Sequence, residues 1–180
     1  MDKVERYKKI IITGSEGYLG NSLYNYLKQK KFNVKCLSKK NSDLNLNLLN
    51  EEKTIKVLNQ YLDYTLFHCA GFVPKTLKDY DDKKNLENII MIKNILKSKI
   101  KNIYFISTLA IFNENENIFE KKINVSKNHN YYCKTKIQSE HILLNSDKNV
   151  KILRIPGLFG GGRKNGLIYN CINYLKKRKK

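Results

Sequence analysis

The sequence predicts an α/β protein: a doubly wound parallel sheet with helices on both faces. Two observations carry that expectation. Short apolar runs suited to buried strands alternate with helical patterns, and the alternation repeats four times along the chain. The first apolar run, Ile10-Ile11-Ile12, passes straight into glycines at Gly14, Gly17 and Gly20, and an amphipathic helix follows from Tyr18 to about Lys30. Gly14 allows a sharp turn out of the strand, Gly17 allows backbone to approach a pyrophosphate, and Gly20 removes a side chain where helix packs on sheet. The new helix offers unpaired N–H groups and the positive end of its dipole to phosphates. A glycine triplet by itself fits any strand–turn–helix, but its strand, its helix and its place near the start of the chain favour nucleotide binding.

The remaining elements follow in order. Phe32 to Leu37 reads as a second strand ending at Ser38-Lys39-Lys40, and a polar loop containing Asp43-Leu44 leads to a helix from Glu51 to Tyr61. Thr65 to Cys69 is a third strand, closed by Ala70-Gly71. Asp82 to Lys99 is helical, with Leu86, Ile89, Ile90, Ile92, Ile95 and Leu96 as its buried stripe. Asn102 to Ser107 is a fourth strand, Asn113 to Asn130 a polar surface loop, Tyr132 to Asn145 a helix and Val150 to Ile155 a fifth strand. A parallel sheet binds ligands beyond the carboxyl ends of its strands, where the glycine turn, Ser38-Lys39, Ala70-Gly71 and Ser107-Thr108 fall.

Bulk properties narrow the function classes. With 180 residues there is room for one domain with a sizeable core but not for two full ones. No apolar run approaches a membrane span and no signal-peptide pattern opens the chain, so a cytoplasmic protein without a membrane partner is expected. Cys36, Cys69, Cys133 and Cys171 have no paired spacing; they read as reduced, mostly buried thiols, with no metal site. The net charge of +19 raises the question of nucleic acid. Lysine is spread along the whole chain, however, and arginine occurs only as Arg6, Arg154, Arg163 and Arg178. Specific readout surfaces favour arginine with interleaved aromatics, so a specific nucleic-acid partner is not expected.

Tyr132 and Lys136 stand four apart, on one face of a helix. A phenol is a poor base at neutral pH, and a neighbouring ammonium brings its pKa down towards the working range. Such a pair also arises by chance in a chain with 12 tyrosines. Its surroundings decide. TGSEGYLG (Thr13 to Gly20) and YCKTKIQSE (Tyr132 to Glu140) together resemble the extended short-chain dehydrogenase/reductase family, of the NAD-dependent epimerase/dehydratase type. In order and spacing, DYTLFHCAG (Asp63 to Gly71), NIIMIKNIL (Asn88 to Leu96), ISTLAIF (Ile106 to Phe112) and LRIPGLFGGG (Leu153 to Gly162) are similar to further motifs of that family.

The resemblance implies a Rossmann-type fold, a nicotinamide dinucleotide and a nucleotide-sugar substrate, and it allows a homodimer. It implies that Tyr132 is the general acid/base of a hydride transfer, that Lys136 binds the nicotinamide ribose and lowers the pKa of Tyr132, and that Thr108 hydrogen-bonds the reacting oxygen. The cofactor contacts it implies begin with Gly14, Ser15, Glu16, Gly17, Tyr18, Leu19 and Gly20 around the pyrophosphate, with Ser38 and Lys39 at the adenosine ribose. Asp43 and Leu44 resemble the adenine loop; Cys69, Ala70, Gly71 and Asn88 follow from the third strand and the central helix. Ser107 neighbours the catalytic hydroxyl, and Ile155, Pro156, Gly157 and Leu158 line the nicotinamide side.

Departures from the family matter too. Leu109 and Ala110 replace the Asp-Glu pair of the sugar dehydratases and cannot move protons, which argues against dehydration. Phe112 and Phe159 replace tyrosines, and Asn113 replaces a glycine. Ser38 stands where NAD-preferring members carry an aspartate, and the basic Lys39-Lys40 beside it favours NADP over NAD. Residues 1–162 then form the cofactor domain, and 163–180 only the start of the lobe that grips the sugar nucleotide. The leading expectation is an NAD(P)-dependent nucleotide-sugar epimerase or reductase, or its cofactor-binding portion. The alternative is a dinucleotide-binding module without turnover, a sensor or scaffold.

Overall fold

The computed structural model describes residues 9–112, 123–127, 129–164 and 166–178. Six parallel strands form one sheet in the order β3-β2-β1-β4-β5-β6: β1 Lys9–Thr13, β2 Asn33–Ser38, β3 Leu44–Asn45, β4 Thr65–His68, β5 Asn102–Thr108 and β6 Asn149–Ile155. The helices are α1 Tyr18–Gln29, α2 Glu51–Leu58, α3 Leu86–Leu96, α4 Tyr131–Leu144 and α5 Leu167–Arg178. This is a Rossmann-like sheet in which the strand order reverses between β1 and β4, the position where such sheets open a crevice for ligands.

Strand β1 lies between two partners, Ile11 being paired with Lys35 on one side and Leu66 on the other, so its side chains are buried on both faces. Ile10 and Ile12 pack with Val34 and Leu27 under α1. Ile11 points the other way, into the larger core with Leu37, Leu66, Ile103 and Phe105, beneath Leu58 of α2, Ile92 and Ile95 of α3 and Leu143 of α4. Each fully buried isoleucine contributes roughly 1.5–3 kcal/mol, so this short run fixes both layers at once. No helix among the described residues is long and apolar enough to cross a membrane.

Several elements differ from the sequence expectation. There are six strands, not five, because part of the polar loop pairs with β2 through Leu37–Leu44 and Ser38–Asn45. Helix α2 stops at Leu58, and the Asn59 side chain then accepts from the Lys99 N–H at 2.7 Å. The long helix expected from Asp82 begins as a 3₁₀ turn, Lys83–Asn85, and is α-helical only from Leu86; a further 3₁₀ turn, Lys78–Asp81, precedes it. Leu86 and Ile90 of its stripe are exposed; Asn88 and Asn94 are buried in their place, each bonded to backbone. Cys133 alone among the cysteines is buried, while Cys36 and Cys69 are half-buried and Cys171 is exposed on α5. In the segment read as a surface loop, Ile123 and His129 are buried. His129 Nε2 pairs with the Ile111 carbonyl at 2.8 Å, and His141 Nε2 with the Ile123 carbonyl at 2.7 Å. Residues 113–122 and 128 of that loop, Asn113 among them, lie outside the described residues.

Candidate cofactor and active site

The site is built at the carboxyl ends of β1, β4 and β5. Thr13 closes β1, and its buried hydroxyl accepts from the Ala70 N–H at 3.1 Å and pairs with His68 Nδ1 at 2.8 Å. Burial, with the nearby Lys136 charge, pushes His68 down to about 3, so the ring that pairs with Thr13 is neutral. The turn after β1 is thereby tied to the turn after β4. Gly14 then takes φ +68°, and a Cβ there would come within 2.7 Å of Ala70 backbone. A Cβ on Gly20 would drive into the Gly14 carbonyl, so helix α1 can start this close to the turn only with glycine at both places. The Gly14 N–H donates to the Leu37 carbonyl at 2.8 Å, which fixes the turn to β2 as well.

The start of α1 has no side-chain cap: Gly17 occupies the capping position and no acidic residue lies in the first turn. Helices α2 and α4 are capped by Asn50 and Asn130, each accepting from a backbone N–H at 2.9 Å. An uncapped N-terminus at a strand switch point, beside a turn kept clear by two glycines, fits a dinucleotide pyrophosphate.

Beyond β5, the family-implied catalytic residues come to one end of the sheet. Ser107 is buried and its Oγ has no hydrogen-bond partner, a polar atom left for a ligand to satisfy. Thr108 ends the strand with its hydroxyl accepting from the Ala110 N–H at 3.1 Å. On α4, Lys136 reaches back to donate Nζ to the Ile106 carbonyl at 2.9 Å, and the same Nζ lies 4.7 Å from the Phe105 ring centroid. Burial lowers Lys136 to about 8, against the pull of Glu140 and Cys69, which raise it. Burial pushes the adjacent Cys69 thiol up to about 12, opposed by Lys136. Asn88 brackets Phe72, accepting its N–H at 2.8 Å and donating to its carbonyl at 3.2 Å, and so shapes the Ala70-Gly71 turn facing Lys136. Glu140, one turn beyond Lys136 and fully buried, binds the Arg154 guanidinium at 2.7 and 3.1 Å and locks α4 to β6.

Tyr132 departs from expectation. Its ring is buried with Ile111, Ile123, Cys133 and Ile137 and meets Tyr80 edge-on at 5.9 Å. Its pKa is raised to about 12, by burial first and then by Cys133 and Tyr80. Lys136 is not among the causes; its ammonium is turned to the Ile106 carbonyl and the Phe105 ring. The expected lowering of the phenol by this lysine is therefore reversed.

At the adenosine end, Ser38 and Asp43 have partners within the chain. The Ser38 hydroxyl is turned inward and donates to the Lys40 carbonyl, and the Ser38 N–H donates to Ser42 Oγ at 3.0 Å. What is exposed there is Lys39 and Lys40. Asp43 does not reach the carboxyl end: its carboxylate accepts the Cys36 N–H at 2.8 Å, two residues short of the end of β2, beside a shallow depression lined by Tyr24, Cys36 and Asn45. Leu44 follows within β3, and the chain leaves that strand at Leu46, whose N–H donates to the Ser38 carbonyl at 2.7 Å. Ser15 is buried and Glu16 exposed, Leu19 is half-buried at the start of α1, and Pro156 to Leu158 follow Ile155, the last residue of β6. One contact at this end is invisible to local sequence reading. The Tyr18 side chain, 141 and 142 residues away in sequence, donates to the Phe159 and Gly160 carbonyls at 3.1 and 2.9 Å.

Comparison with known proteins agrees with this layout. Among solved structures, a dTDP-4-dehydrorhamnose reductase from Clostridium acetobutylicum superposes with a TM-score of 0.73 at 26% identity, covering 94% of this chain and 60% of that one. The Bacillus anthracis dTDP-4-dehydrorhamnose reductase in complex with NADP gives 0.76 at 21% identity, over 96% of this chain and 61% of the other. A Thermus thermophilus UDP-glucose 4-epimerase complex with NAD gives 0.68 at 19%, over 81% and 54%. By sequence, the methionine adenosyltransferase 2 subunit beta of Xenopus tropicalis is 22% identical over 163 residues, 85% of this chain and 48% of that protein. That of Rattus norvegicus is 24% identical over 160 residues, again 85% and 48%. The chain thus spans about half the length of the curated relatives it matches. The family model described as the RmlD substrate binding domain matches residues 8–180, and the chain belongs to that family, within the extended short-chain dehydrogenases/reductases.

Proposed function

We propose that this chain is the cofactor-binding and catalytic portion of an NAD(P)-dependent nucleotide-sugar reductase. The observation that carries the reading is the meeting of Thr108, Lys136 and the unpartnered Ser107 Oγ at the end of β5, with Tyr132 one helical turn before Lys136. When bound, the nicotinamide supplies or accepts hydride. The chain's own residues hold and move the proton. Tyr132, neutral at physiological pH, would donate its proton to the oxygen of a carbonyl being reduced. The likeness to two dTDP-4-dehydrorhamnose reductases supports reduction over epimerisation. Thr108 would orient that oxygen, and Lys136, mostly protonated at neutral pH, would bind the ribose and place positive charge nearby. Leu109 and Ala110 offer no proton for eliminating water. Exposed Lys39 and Lys40 favour the 2′-phosphate of NADP.

The test is fluorescence titration with NADPH and NADH, followed by NADPH oxidation assays on nucleotide-linked keto sugars. Oxidation that Tyr132→Phe abolishes supports the reading; oxidation unchanged in that variant overturns it. A second reading is favoured by the apolar packing of Tyr132 and by the relatives named as subunits of methionine adenosyltransferase. In it the chain is a dinucleotide-binding regulatory subunit. Saturable cofactor binding with no oxidation of any keto sugar would support that alternative.

A further inference from the structure

Strand β6 and strand β1 are three spacings apart in the sheet, with β5 and β4 between them, a distance of about 14 Å. Tyr18, the first residue of α1, nevertheless binds the segment that leaves β6. Its hydroxyl is shared between the carbonyls of Phe159 and Gly160, and its ring lies 5.2 Å from the Arg163 guanidinium. From Ile155, the last residue of β6, to Gly160 is five residues, a reach of about 17 Å when extended. Five residues, with the Tyr18 side chain reaching from the other side, are thus long enough to join the end of β6 to the start of α1 across the carboxyl ends of β5 and β4. The segment ends in a turn closed by the Arg163 N–H on the Gly160 carbonyl at 2.9 Å. Gly160, Gly161 and Gly162 hold φ of +88°, +49° and +79° there. At Gly160 and Gly162 a Cβ would meet nothing within 4 Å, so only the left-handed backbone asks for glycine at those two positions.

We propose that Tyr18 is a latch: it holds residues 156–163 as a strap along one side of the dinucleotide groove and slows the release of bound cofactor. The proposal rests on the dinucleotide-binding reading above. Tyr18 is a positioning residue in this role, acting through its phenol rather than through the backbone contact that the glycine motif implies. Tyr18→Phe removes the hydroxyl and keeps the ring that faces Arg163. Gly160→Ala disturbs the same latch from the strap.

Stopped-flow displacement of NADPH, run beside thermal melts, tests it. Tyr18→Phe is expected to release NADPH about fivefold to tenfold faster, the effect of losing one neutral hydrogen bond, with the apo melting temperature lowered by no more than about 4 °C. Gly160→Ala is expected to shift release in the same direction. If Tyr18→Phe binds NADPH and releases it at the unmodified rate, or speeds only association, the latch is overturned and the dinucleotide reading stands. If the unmodified chain binds neither NADPH nor NADH, both fall.

Discussion

Burial is the first cause of the shift at both Tyr132 and His68, and the neighbouring groups push each the same way: Lys136 lowers His68 further, and Cys133 and Tyr80 raise Tyr132 further. For Tyr132 the expected outcome of Tyr132→Phe is loss of turnover by about a hundredfold or more, with NADPH affinity within about twofold, measured by parallel kinetics and titration. His68 gives a pH prediction with a definite sign. Its folded pKa, about 3, lies below the ordinary value of 6.5, so between these the unfolded chain binds the extra proton. Stability is whole above pH 6.5 and is lost as pH falls towards 3. The loss should reach about 3 kcal/mol near pH 4, and urea melts of His68→Gln should show a flatter acid limb. An acid limb unchanged by that substitution would mean that His68 is not held neutral in the fold.

At the scale of elements, the glycine turn is the least forgiving joint. Gly20→Val would force α1 away from the Gly14 carbonyl, and a cost of about 2–4 kcal/mol is expected, with loss of NADPH binding; melts and titration read both. Helix α4 depends in turn on the buried Glu140–Arg154 pair. Glu140→Gln should cost about 3 kcal/mol by leaving the guanidinium uncompensated. The β1 strand and this turn were legible in sequence because three β-branched residues and three glycines are a local code. Strand β3 was not: two residues, Leu44–Asn45, carry no period, and they pair only because β2 lies alongside. The stripe of α3 was half legible, since nothing local says that Asn88 and Asn94 find buried backbone partners while Leu86 and Ile90 face solvent. The identities of Tyr132 and Lys136 were legible as a four-residue spacing, but the direction of the tyrosine shift follows from Tyr80, Ile111 and Ile123, which the chain brings in from elsewhere.

For the molecule as a whole, charge and cofactor choice meet. A net charge of +19 repels itself and attracts a polyanionic dinucleotide. Raising salt from about 10 mM to about 150 mM should raise the melting temperature while weakening NADPH binding, two opposite slopes that one titration series would read. With the Ser38 hydroxyl committed to its own turn, discrimination falls to Lys39 and Lys40. NADPH should bind more tightly than NADH by roughly tenfold to a hundredfold, and a Lys39→Glu/Lys40→Glu variant should erase the difference. The reversal of strand order between β1 and β4 has a further consequence, for how the chain is made. Ile10 pairs with Thr65 and Thr13 with His68, so during synthesis β1 must wait more than fifty residues for one of its two neighbours. Until β4 emerges, one edge of an apolar strand stands open and the Thr13 hydroxyl has neither His68 nor Ala70. The groove is thus closed across a seam between strands far apart in sequence, a non-local parallel pairing of the kind that slows folding.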